Sequence, residues 1–166
     1  MAMKKLRPDI KYGNIYEIDL DSLREKGICG LFFDIDNTLE PYSAPLPSEK
    51  LAEWFGKLTG EGFTVGIISN AKKARIQKFV SGFPEGLREK IIYVFGAAKP
   101  SKKGFRKLCS DGGLDAGQAA MIGDQLFTDI WGGNRSGLAT ILVTPIDLSI
   151  EPGFVRFKRL LERPFL

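Results

Sequence analysis

Two carboxylates, Asp34 and Asp36, stand one residue apart directly after the apolar run Leu31-Phe32-Phe33. Side chains alternate faces along a strand, so positions two apart share a side. Two acids placed together where a buried strand ends are costly unless a cation sits with them. Alone, such a pair also describes an acidic turn capping the next segment. Three later stretches repeat the pattern of an apolar run that ends in polar groups. Ser69 and Asn70 follow residues 63–68, Lys99 follows 91–95, and Asp124 to Asp129 follow 119–122. Four acids, a hydroxyl and a lysine gathered in one place call for a hard cation with oxygen ligands, and Mg²⁺ is the abundant choice in a cell. A lysine and a hydroxyl beside that ion suit a phosphoryl group, whose charge would otherwise repel an attacking carboxylate. The chain contains no histidine, which removes Ser-His and Cys-His nucleophiles and imidazole-based zinc sites. Acid–base work at neutral pH then falls to carboxylates or lysines with shifted pKa values.

These groups converge only if the strands run parallel, and the spacing predicts that they do. Residues 28–35, apolar at nearly every position, read as a strand covered on both faces. Three prolines between 40 and 47 make an extended loop. Ser48 then caps a helix carrying Leu51, Trp54, Phe55 and Leu58 at helical spacing. Strands are expected at 63–68, 91–95, 119–122 and 139–143. Helices are expected at 71–80, after Ser101, and at 126–136, where Phe127, Ile130 and Trp131 form a core stripe and the Gly132-Gly133-Asn134 run turns or kinks the helix. Asp115 and Gln118 have capping-box spacing. Residues 1–27 read as a lead-in, with Asp21 or Ser22 capping a short helix that ends at Gly27. Strands alternating with helices imply an α/β fold, a three-layer doubly wound parallel sheet of about five strands. At 166 residues the chain fits one domain, with its core at about 28–143 and a tail at 151–166.

Hydrophobic residues at 43% and charged residues at 27% describe an ordinary globular chain. No apolar run reaches the roughly 20 residues of a membrane span. The basic N-terminus lacks the apolar segment of a signal peptide, so the expected location is the cytoplasm. Cys29 and Cys109 lack metal-ligand spacing and read as buried thiols. A net charge of +4 favours anionic partners such as phosphates or acidic lipids and is too small to indicate nucleic acid.

The four clusters together resemble the motifs of the haloacid dehalogenase (HAD) superfamily phosphatases. Asp34, Asp36 and Thr38 match the first motif, Ser69 the second, Lys99 the third, and Gly123, Asp124 and Asp129 the fourth, in family order over about residues 28–143. The resemblance implies that Asp34 attacks phosphorus and carries an aspartyl-phosphate. Asp36 would protonate the leaving oxygen and then activate water. Asp34, Asp124 and the Asp36 main-chain carbonyl would hold Mg²⁺, with Asp129 supporting the site directly or through water. Ser69, the Asn70 backbone and Lys99 would hold the phosphoryl oxygens. Thr38 either supports the site or only stabilises the loop after the strand, and the Asn70 and Gln125 side chains also read as hydrogen-bonding or capping groups. A phospho-receiver uses similar residues but has no need of an acid two positions past the nucleophile. A catalytically silent binding domain would be expected to have lost a motif residue.

The whole chain is similar to the compact subfamily IIIA, YqeG type. The likeness rests on Leu6-Arg7-Pro8-Asp9, the 34–39 stretch, Ala98-Lys99-Pro100, and Gly123 to Asp129 followed by Gly132-Gly133-Asn134-Arg135. That family is similar to the mitochondrial-type phosphatidylglycerophosphate phosphatases, which implies a phospholipid head group as substrate. Neither interval between motifs has room for an inserted cap domain, so a bulky or membrane-anchored substrate is expected unless an oligomer supplies a lid. Residues 151–166 read as a basic amphipathic helix with Phe154, Phe157, Leu160 and Leu161 on one side. That stripe is expected to pack on the sheet or a neighbouring subunit, with peripheral contact to the inner face of an anionic membrane as the alternative.

Overall fold

The computed structural model describes residues 3–166. Six strands form one sheet: β1 (Ile10–Tyr12), β2 (Gly30–Phe33), β3 (Thr64–Ile68), β4 (Ile92–Val94), β5 (Ala119–Gly123) and β6 (Ala139–Val143). Their order is β1-β6-β5-β2-β3-β4, and every pairing is parallel. The helices are α1 (Leu20–Glu25), α2 (Glu49–Gly60), α3 (Lys73–Ser81), α4 (Glu85–Arg88), α5 (Lys102–Gly112), α6 (Trp131–Ser136) and α7 (Gly153–Glu162). From β2 the chain builds outward through β3 and β4, then returns to place β5 and β6 on the other side. The crevice at the carboxyl ends of β2 and β5 is therefore the topological switch point, where open α/β sheets bind ligands.

Alternation along the strands divides the core into two layers. Leu31, Phe33, Val65, Ile67, Ala120 and Ile122 face α2 and α3, whereas Phe32, Ile68 and Met121 face α5. Ser48 caps α2, accepting from the Leu51 amide at 3.2 Å. The helix lays Phe55 between Phe33 and Phe83, with ring centroids 5.3 and 5.2 Å away. Gly66 is required where it stands, because a Cβ there would lie 2.8 Å from Phe32 Cδ1.

The sheet has one strand more than the five expected. Ile10–Tyr12 is short and has a lysine at its centre, so it carries no apolar signature. It forms because β6 offers a free edge and Asp9 pins the register. The Asp9 carboxylate accepts from the Thr140 amide at 2.8 Å, and the Asp9 amide donates to the Thr140 carbonyl at 3.0 Å. Asn134 holds the same lead-in through the Lys5 and Arg7 carbonyls, at 2.8 and 3.0 Å. Asp19, rather than Asp21 or Ser22, caps α1. The expected helix at 126–136 begins with a wider π turn, Leu126–Ile130, before α6. Ile130 is core, Phe127 and Trp131 only partly so, and Cys29 is half-buried while Cys109 is buried.

No domain is inserted between β2 and β3 or between β3 and β5, and no helix among the described residues is long and apolar enough to cross a membrane. The tail forms α7 as expected, but with a different face inward. Val155, Arg159 and Glu162 turn toward the protein, whereas Phe154, Phe157, Leu160 and Leu161 stand outward. Arginine is the reason. Its partner Asp124 lies in the body of the protein, and its other partner Glu151, at the start of the tail, is tied to Asn37; serving both fixes the rotation of the helix.

Phe55→Ala should lower folding stability by about 3–5 kcal/mol, read from the urea midpoint, because three rings lose their packing together.

Candidate active site

The expected site residues arrive at one edge of the sheet from the segments that follow β2, β3, β4 and β5. Asp34 continues β2, its amide donating to the Ile122 carbonyl at 3.1 Å. The chain then folds back sharply through Asn37, in the left-handed region at φ 62°, and presents Asp36 and Thr38. Ser69 follows β3, its amide bonded to the Val94 carbonyl and its hydroxyl accepting from the Ala71 amide at 3.1 Å. The Asn70 side chain brackets the Lys99 peptide, accepting from its amide at 2.7 Å and donating to its carbonyl at 3.4 Å. Asn70 thus acts on the lysine loop through its side chain and is among the residues that line the site.

Lys99 is buried between two acids, with Nζ 2.9 Å from Asp34 and 2.7 Å from Asp129. Burial would pull its pKa down, but the two carboxylates outweigh that effect and keep it charged. Asp129 also accepts from the Gln125 amide at 3.1 Å, where the π turn closes. Gly123 makes this possible: a Cβ there would lie 2.3 Å from Asp129 Oδ2. Asp124 accepts from the Thr38 hydroxyl at 2.7 Å, so Thr38 touches the acid cluster itself. Carboxylate oxygens of Asp34, Asp124 and Asp129 all lie within 4.8 Å of one another. The Asp36 carboxylate stands outside that group and pairs with Arg75. A cavity of about 390 Å³ joins Asp34, Asp36, Ser69, Asn70 and Lys99, and Tyr42 of the proline loop borders it.

Three arrivals carried no signal strong enough to read beforehand. Arg75 projects from the first turn of α3, where the apolar stripe drew attention to Ile76 and Phe79 instead. Arg159 comes from α7, 35 residues past Asp124, pairing with the Asp124 carboxylate and donating to its carbonyl at 3.2 Å. Its Nε also reaches both oxygens of buried Glu151, at 2.6 and 2.8 Å. Glu151 in turn accepts from the Asn37 amide group at 2.8 Å, so the tail is tied to the loop after β2.

Charge is out of balance here. Asp34, Asp36, Asp124, Asp129 and Glu151 form ion pairs with Lys99, Arg75 and Arg159, and Lys158 lines the same cavity without an ion pair there among the described residues. Acids outnumber cations, a divalent ion is what relieves such a surplus, and oxygen donors are what a hard ion accepts. The pKa shifts report the same excess. Burial raises the Asp34 carboxyl well above its ordinary value, with Lys99 opposing and the other acids adding to the rise. Burial also raises Asp36, against the pull of Arg75. Asp124 is pushed up to about 6 by burial and then by Asp129, with Arg159 and Thr38 opposing. The donor set therefore fits a divalent cation, with the carboxylates of Asp34, Asp124 and Asp129 as candidate ligands.

Known proteins place this arrangement. The HAD-hydrolase-like family matches residues 96–145, the stretch from the lysine loop through β6. Over its full length the chain is 37% identical to the probable phosphatase YqeG of Bacillus subtilis (strain 168), covering 92% of that protein. The chain belongs to the YqeG-type HAD phosphatases. It is also 31% identical to the chloroplastic/mitochondrial phosphatidylglycerophosphate phosphatase 1 of Arabidopsis thaliana, over 96% of this chain and 47% of that protein. The crystal structure of a HAD phosphatase from Thermococcus onnurineus superposes with a TM-score of 0.54 over 82% of this chain and 97% of its own, at 16% identity, and so shares the fold. As a HAD-type phosphatase the protein is a phosphoric monoester hydrolase.

In the metal-free protein, a proton on Asp124 favours the folded state. That contribution is complete below the ordinary value of 3.8 and is lost as pH rises through about 6. A divalent cation must displace this proton. The gain in melting temperature on adding Mg²⁺ to chelator-treated protein should therefore be larger at pH 7 than at pH 5. An equal gain at both would show that the ion is not held at Asp124.

Proposed function

We propose that this protein hydrolyses phosphate monoesters in two steps through an aspartyl-phosphate on Asp34, with Mg²⁺ as the metal. The observation that carries the reading is Lys99, buried in contact with both Asp34 and Asp129 while Asp124 closes the same cluster. Bound Mg²⁺ would neutralise the phosphoryl charge and the surplus of carboxylates. Asp34, Asp124 and the Asp36 main-chain carbonyl would be its ligands, with Asp129 supporting them directly or through water. In the first step an Asp34 oxygen forms a bond to phosphorus, the ester oxygen leaves, and Asp36 gives that oxygen its proton. In the second, Asp36 takes a proton from water, which attacks phosphorus and releases Asp34 and inorganic phosphate. Burial inclines Asp36 toward holding a proton, and its pairing with Arg75 opposes this. Release from Arg75 therefore favours the acid form. Lys99, the Ser69 hydroxyl and the Asn70 main chain hold the phosphoryl oxygens, and Thr38 steadies Asp124.

The substrate is bulky or membrane-anchored, a phospholipid head group such as that of phosphatidylglycerophosphate. Two observations support this: no domain covers the site, and the chain is 31% identical to a phosphatase named for that lipid. On this reading the protein works in the cytoplasm, peripheral to the inner face of the membrane. A sugar phosphate, nucleotide or phosphoprotein is the other class of substrate that the open site admits, and the assay below separates them.

Asp34→Asn should abolish Mg²⁺-dependent phosphate release while leaving the melting profile in place; a fully active variant would remove the nucleophile assignment. Asp36→Asn should lower kcat by about two to four orders of magnitude, the scale of losing an acid–base group. A phosphate-release screen should favour phosphatidylglycerophosphate in micelles over sugar phosphates, nucleotides and phosphopeptides.

A further inference from the structure

Eleven large apolar side chains stand exposed among the described residues, and nine of them fall between Ile146 and Leu166. Such concentration in one eighth of the chain is not the scatter of a normal surface. Phe154 and Phe157, on the outer side of α7, are 66% and 62% exposed. The helix has two opposed faces. Val155, Arg159 and Glu162, spaced four and three apart, bind the body of the protein, while Phe157 and Leu161, four apart, point away from it. Between these faces lie the cations, with Arg156 and Arg163 along one flank and Lys158 along the other. Of the three acids in this stretch, Glu151 and Glu162 are buried, and the half-buried Asp147 carboxylate accepts from the Ser149 amide and hydroxyl. Outward, then, α7 shows hydrocarbon bordered by positive charge.

We infer that this face is the seat on which the protein rests against an anionic lipid bilayer, and that Arg159 fixes the phosphate site at the lipid surface. The inference rests on the reading of a lipid-borne phosphate ester as substrate and adds how such a substrate is approached. Charge decides the occupant. Long cationic side chains flanking an apolar stripe place their ends among head groups while the stripe enters the acyl boundary. A second face of the same kind would instead bring Arg156, Lys158 and Arg163 toward their own copies. Beside α7, exposed Leu148 and Leu166 line a cavity of about 420 Å³ together with Leu142 and Val143, and Arg159, Asp124 and Lys11 are also on its wall. The same helix reaches the catalytic side. Phe154 and Lys158 border the cavity that holds Asp34 and Asp36, and Arg159 clasps Asp124. A bilayer against α7 therefore lies beside the mouth of the site.

Removing α7 would uncover the acid cluster, so the test changes outward side chains only. Flotation of the full chain with vesicles of equal parts phosphatidylglycerol and phosphatidylcholine should show binding that weakens with salt and is much lower on phosphatidylcholine alone. Phe157→Glu with Leu161→Glu should bind the mixed vesicles roughly tenfold or more weakly, the scale of losing two apolar insertions. It should keep its melting temperature and its hydrolysis of p-nitrophenyl phosphate. Arg156→Gln with Arg163→Gln is the second variant and should bind less while staying folded. Absence of vesicle binding by the unaltered protein, or equal binding by both variants, overturns the inference. So does a dimer in sedimentation that Phe157→Glu with Leu161→Glu dissolves, since the occupant is then a second copy. Vesicle binding without hydrolysis of phosphatidylglycerophosphate leaves the docking face standing and removes the substrate reading. Hydrolysis in micelles without vesicle binding does the reverse.

Discussion

Lys99 between Asp34 and Asp129 is the interaction around which the molecule is arranged. Taking carboxylates out of water costs several kcal/mol each unless cations and hydrogen bonds replace the lost hydration. A single lysine meets part of that cost for two acids and leaves a surplus of negative charge at the end of β2. The surplus is useful because it attracts a divalent ion, and it is tolerable only because the fold holds everything else still. Gly123 lets the Asp129 carboxylate lie against the strand end, and Asn70 holds both sides of the Lys99 peptide. Parallel strands supply the remaining geometry by bringing four loop ends to one edge.

The tail answers the same electrostatic demand from the other direction. Arg159 brings a third cation to the cluster and is itself held by Glu151, which is anchored to Asn37. Removing one member would leave another buried charge without its partner, the expensive case for a buried ion pair. That requirement outranks burial of the apolar stripe. Phe157 and Leu161 are left in the open because the helix cannot serve Asp124 and bury them together. A patch with this origin is available for a partner at no cost to the fold.

Recognition of the site needed little beyond residue order. Asp34, Asp36, Ser69, Lys99, Asp124 and Asp129 were legible because each follows an apolar run, and an apolar run bounded by polar groups is the plainest local mark of a buried strand. The caps at Ser48, Ser101 and Asp115 were legible for a similar reason, since capping is settled within three or four residues. Strand β1 was not, because its three residues pair only where β6 leaves an edge. Arg75 and Arg159 were not, because on a helix an arginine beside an apolar stripe looks the same whether it meets solvent or a carboxylate.

What the sequence by itself determined was the set of reactive groups, the parallel α/β class and the family resemblance, all written in short-range patterns of apolar runs, caps and motif spacing. Only the tertiary structure decided that a sixth strand closes the edge, that Arg75 takes Asp36, and that α7 turns its arginine inward and its phenylalanines out. Those outcomes depend on which distant charges and edges meet. The energy of such a meeting belongs to the pair in its low-dielectric surroundings and not to either residue alone.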